Sequence, residues 1–124
     1  MKLTDLAIGD LILINNTPHK IQAIDSIDAE ILADDELYYV GEDRCHSEDK
    51  IEGIPITPEI LEKNGLWYYS NDIWLHDEVG FYIEKWNGRF QCYDINDIKL
   101  DSVHQLQHTL RLCGLNELAD NFKV

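Results

Sequence analysis

The sequence predicts an α+β fold: a small N-terminal β-barrel or meander of SH3-like kind, then an antiparallel hairpin sheet covered by a C-terminal helix. Three observations predict it. Short apolar runs separated by turn residues fill positions 1–50. Asn87-Gly88 stands between two strand-like runs, and both residues of so short a turn need positive φ. Val103, Leu106, Leu110 and Cys113 recur at helical spacing and form one stripe.

The elements follow in order. Gly9-Asp10 punctuates the start, and Leu11 to Ile14 is wholly apolar. Asn15-Asn16-Thr17-Pro18 reads as a turn, with Pro18 at the turn or a strand edge because it lacks an N–H for the ladder. His19 to Ile27, Ala29 to Ala33 and Leu37 to Val40 are further strand candidates. Several short strands at this spacing suggest a small meander or an SH3-like barrel, and such a barrel closes its own edges. Thr57 then looks like an N-cap, Pro58 the first helical residue and Gly65 the left-handed stop of a short helix. Leu66 to Leu75 is rich in aromatic residues. Across Asn87-Gly88 the register sets Trp86 opposite Arg89, Lys85 opposite Phe90, Glu84 opposite Gln91, Ile83 opposite Cys92 and Tyr82 opposite Tyr93. Asp101 or Ser102 caps the stripe-bearing helix, Gly114 ends it, and a last short helix begins near Asn116. With no linker between the halves, residues 1–124 read as one compact domain, β-rich over 1–50 and mixed over 51–124, around a shared core.

The chain holds 24 acidic and 10 basic residues, a net charge of −14. That balance argues against direct capture of nucleic acid or of an anionic membrane. Eleven of the acids lie between Asp25 and Glu52, facing only Arg44 and Lys50. Such a stretch attracts basic proteins or cations, or imitates nucleic acid, when it is more than a solvated face. No apolar run approaches the ~20 residues of a membrane span, and Asp5 and Asp10 interrupt any signal-like segment. The expected setting is the cytoplasm.

The hairpin register divides its residues between two faces. Phe81, Ile83, Phe90 and Cys92 form a core face. Tyr82, Trp86, Arg89 and Tyr93 fall on the other, with Trp86 beside Arg89 as a cation–π pair. Aromatic residues and arginine are the types enriched at interface hot spots, so these four are the candidate partner-binding residues. The competing reading is that another layer of the domain covers them. His104 and His108 are four apart on the helix and share a face that could ligate zinc. The stripe places both toward solvent, and no HExxH pattern accompanies them. Cys45-His46 is the candidate reactive thiol, whereas Cys92 and Cys113 lie on core positions. No nucleophile elbow, P-loop, CxxC pair or calcium-loop spacing occurs, so no catalytic residue, metal ligand or cofactor is assigned.

Two segments carry a resemblance. Residues 51–65, IEGIPITPEILEKNG, resemble the I-x-P-I-P-L-T-x-E-x-L-x-x-x-G-F segment of a family of small uncharacterised proteins encoded in prophages and mobile elements of gut bacteria. Residues 103–107, VHQLQ, resemble that family's Y-V-H-Q-L-Q-N helix start, and Gly9-Asp10 fits its usual opening. Leu66 stands where the family has Phe, and Ser102 where it has Tyr. The resemblance implies a mobile-element setting and no chemistry. The expectation is therefore a non-enzymatic accessory protein that engages a protein partner. The alternatives are an acidic counter-defence inhibitor that imitates nucleic acid, and a small metal or thiol enzyme using His104, His108 or Cys45-His46.

Overall fold

The structure, a computed structural model, describes residues 3–25, 30–33, 45–47, 50–92 and 98–124. The chain divides into two compact units, Met1–Ile54 and Pro55–Val124. It is α+β, with two antiparallel five-stranded sheets.

In the first unit a 3₁₀ turn, Leu3–Asp5, precedes β1 (Leu11–Ile14), β2 (Thr17–Asp25), β3 (Glu30–Ala33), β4 (Cys45–Ser47) and β5 (Ile51–Glu52). Their order is β4-β3-β2-β1-β5, so the last strand returns beside the first. Among the described residues no pairing of β4 with β5 closes this sheet into a barrel. The alternation in β1 turns Ile12 and Ile14 inward, where they join Leu6, Ile21, Ile31, Ala33 and Ile51 in one apolar cluster. Asp10 is buried and usefully so: its carboxylate accepts from the Ala7 N–H at 2.8 Å, and its carbonyl accepts from Ile21 N–H at 2.9 Å.

The turn between β1 and β2 is only Asn15-Asn16, both at positive φ (52° and 63°), the geometry that matches strand twist. Pro18, expected at the turn or a strand edge, is the second residue of β2, just past the turn, opposite Leu13 and with its other side unpaired by β3. It is tolerated there because β3 pairs with β2 only from Ile21 onward. The strand expected over Leu37–Val40 lies outside the described residues, as do the side chains of Cys45 and His46.

The second unit opens with α1 (Pro58–Lys63). Thr57 Oγ1 accepts from the Ile60 N–H at 3.3 Å, as a cap should, and Asn64 and Gly65 end the helix. The Asn64 side chain donates to the Ile60 and Lys123 carbonyls and accepts from the Lys123 N–H, each at 2.8 Å. One amide thus ties the end of α1 to the backbone of Lys123, 59 residues later.

The sheet of this unit comprises β6 (Trp67–Ser70), β7 (Ile73–His76), β8 (Phe81–Trp86), β9 (Arg89–Cys92) and β10 (Ile98–Leu100), in the order β10-β9-β8-β7-β6. Asn87 and Gly88 make the tight turn, with φ of 50° and 79°. The observed pairs Glu84–Gln91, Lys85–Phe90 and Trp86–Arg89 are those the dipeptide dictates. Phe81, Ile83, Phe90 and Cys92 are all buried, and the Lys85 ammonium lies 5.6 Å from the Phe90 ring centre. A second tight hairpin joins β6 to β7 through Asn71-Asp72, again both at positive φ.

Helix α2 (Val103–Leu112) follows β10 and touches it. Val103, Leu106 and Leu110 are fully buried, as the periodicity requires. Cys113, placed on the same stripe by its spacing, is exposed, because it is the residue at which the helix stops. Helix α3 (Asn116–Asp120) completes the unit.

Candidate interaction face

The outer face of the second sheet is built by strand alternation. On β8 the residues turned away from Phe81 and Ile83 are Tyr82, Glu84 and Trp86. Cross-strand pairing extends this face in both directions. Tyr82 lies opposite Leu75, and Leu75 opposite Trp67. Glu84 lies between Ile73 and Gln91, and Trp86 lies opposite Arg89. Tyr69 joins through its ring, which meets that of Trp67 edge-on at 5.6 Å.

Exposure on this face is highest at its corners. Trp86 is 60% exposed, Tyr69 59% and Trp67 42%, while Tyr82 is half-buried. Two strand spacings and four residues of rise separate the Trp67 and Trp86 corners, roughly 16 Å. The arrangement is a shallow aromatic platform with a half-buried tyrosine between its corners.

Arg89 is committed differently from expectation. Its guanidinium does not simply sit beside Trp86 as a free cation: Nε donates to Asp101 Oδ1 at 2.9 Å, and Nη2 reaches both carboxylate oxygens at 2.7 and 2.5 Å. The register explains this, since Leu100 pairs with Phe90 and Asp101 is the next residue along. The hydrogen bonds it donates to Asp101, then the Asp101 charge, hold the guanidinium pKa above the ordinary arginine value. Arg89 is thereby oriented at the hairpin tip, beside a small cleft of about 160 Å³. Of the four residues singled out in the sequence, Trp86 and Arg89 are brought together, Tyr82 shares their face, and Tyr93 lies outside the described residues. Trp67 and Tyr69 were missed. The signal that would have found them is Asn71-Asp72, a turn pair inside the aromatic run, which sets β6 in register with β7.

The histidines require a correction. His104, expected toward solvent, is only 4% exposed, and His108 is half-buried. Helix α3 folds back on the flank of α2 that periodicity alone leaves to water. Gln107 Nε2 donates to the Ala119 carbonyl at 3.0 Å, and Arg111 meets Asp120 at 3.5 Å. Helix α2 is therefore buried around more than half its circumference. His104 Nδ1 lies 3.0 Å from the Ser102 hydroxyl, and its ring meets that of His108 edge-on at 5.8 Å. Among the described residues no cluster of three metal-ligating side chains occurs.

A larger concavity of about 500 Å³ lies between the β7–β8 turn and α3, lined by His76, Glu78, Val79, Leu115, Glu117 and Leu118 among others. His76 Nδ1 is buried there without a hydrogen-bond partner. No helix of the described residues is long and apolar enough to cross a membrane. No protein-family model, curated protein or solved structure matches the chain.

Proposed function

We propose that the chain is a non-enzymatic binding protein that engages a protein partner through the aromatic outer face of its second sheet. The observation that carries this is the exposure of Trp86 beside an Arg89 fixed in place by Asp101. An anchored arginine and large exposed rings lose little side-chain freedom when a partner arrives, which is the physical basis of hot spots. Trp67 and Tyr69 widen the patch toward the size that specific recognition uses.

The first unit is read as an SH3-like small barrel. Its strand order, with β5 returning beside β1, supports that. The second sheet is read as covered on its core face by α2, supported by the burial of Val103, Leu106 and Leu110. The proposed setting is the bacterial cytoplasm, as an accessory factor of phage or mobile-element origin, on the strength of the two segment resemblances.

The test is a pull-down with wild type and the Trp86→Ala, Arg89→Ala double variant. Both should melt at the same temperature. Partners captured by wild type should vanish from the double variant, and identical partner sets would remove this face from consideration.

A further inference from the structure

We propose that the outer edge of β6 is a strand-addition site for an extended basic peptide segment. This deepens the protein-binding reading by naming a partner chemistry, and it uses the edge of the sheet where that reading uses its face.

β6 ends its sheet, and among the described residues no strand lies on its far side. Its backbone N–H and C=O groups on that side therefore form a template for another chain. Natural edges are usually blunted by lysine, proline or a covering element. Trp67-Tyr68-Tyr69-Ser70 carries neither lysine nor proline, and its three rings are 42%, 51% and 59% exposed. The protective devices among the described residues are the strand's four-residue length and the bulge between Tyr68 and Ser70, which sits near its end. The rings flank the edge on both faces. Trp67 and Tyr69 meet on the outer face, and Tyr68 packs edge-on against Trp74 at 5.5 Å on the other. An added strand would find aromatic walls for its alternate side chains.

Magnitudes choose the occupant. In a symmetric pairing of two copies, three half-exposed rings would bury roughly 75–125 Å² each. Both partners together then reach roughly 450–750 Å², short of the ~1,200 Å² that stable association needs. Two copies at −14 each also repel. A segment rich in arginine or lysine meets the opposite situation. The second unit alone carries 11 acidic and 6 basic residues, so its own field draws the segment in, and the segment's cations stack on the Trp67 and Tyr69 rings.

The probe is a blocked nonapeptide alternating arginine and valine, titrated calorimetrically into the full chain. Binding should weaken as salt rises, and a glutamate–valine counterpart should bind at least about tenfold less tightly. N-methylation along one edge of the peptide should leave affinity within about threefold, because the other edge still pairs. N-methylation along both should weaken it about tenfold or more. The outward-pointing amides among residues 67–70 should gain protection from hydrogen exchange. No binding, equal binding of the acidic peptide, or full binding of the doubly methylated peptide would each overturn the proposal. Leu112→Ala, exposed on α2 and outside both the face and the edge, should leave peptide affinity unchanged, and a loss of binding there would sink the edge site. Failure of the peptide to bind leaves the pull-down test of the face intact.

Discussion

Replacing Gly65 by alanine separates two costs that usually arrive together. Gly65 closes α1 in a Schellman turn: its N–H donates to the Glu62 carbonyl at 3.1 Å, and the Leu66 N–H donates to Leu61 at 3.0 Å. Its φ is +84°, and a Cβ added there would stand 2.8 Å from His76 Nε2 and 3.0 Å from His76 Cδ2. The left-handed conformation costs alanine about 1–2 kcal/mol, partly offset by the stiffer unfolded chain. Pressing a methyl into the imidazole adds about 1–3 kcal/mol of overpacking. The expected loss is therefore about 2–4 kcal/mol. Gly114 provides the control within the same unit. It ends α2 by the same pair of bonds, at φ +78°, but an added Cβ meets nothing within 4 Å. Gly114→Ala should cost only about 1 kcal/mol. Urea denaturation of both variants, followed by far-ultraviolet circular dichroism, measures the difference. Adding His76→Ala to Gly65→Ala should remove the excess. Equal costs at the two glycines would refute the reasoning, because backbone strain would then be the whole effect.

Gln107→Ala should cost about 1–3 kcal/mol, because it strands the buried side of the Ala119 carbonyl. Hydrogen exchange should quicken over residues 116–122 well before the rest of the unit. Thiol labelling in native buffer, mapped by mass spectrometry, should modify Cys113 quickly and Cys92 only on unfolding, since the first is exposed and the second buried.

Much of the architecture was legible because it is written in local chemistry. Thr57-Pro58 and Gly65 bound α1, Ser102 and Gly114 bound α2, and Asn87-Gly88 fixes the register of β8 on β9. Each depends on a backbone requirement that few residue types meet. What was not legible depends on elements distant in sequence. His104 is buried and α3 folds back on α2, and periodicity along α2 contains no trace of either. Arg89 was found, but its partner Asp101 needed the pairing of β10 with β9. Trp67 and Tyr69 were hidden for a different reason: an unbroken run of rings obscured a two-residue turn inside it.

The two Asn-Gly pairs face different chemical futures. Asparagine before glycine loses its amide when the following backbone nitrogen attacks the side-chain carbonyl, and that attack needs a mobile side chain. Asn64 is buried, its amide held by three hydrogen bonds, so the fold shelters it. Asn87 stands exposed at a hairpin tip. Conversion there to isoaspartate would lengthen the backbone by one methylene and add a negative charge one residue from Trp86. The molecule therefore ages first at the corner of its aromatic platform, and an old preparation would lose recognition there while keeping its melting temperature.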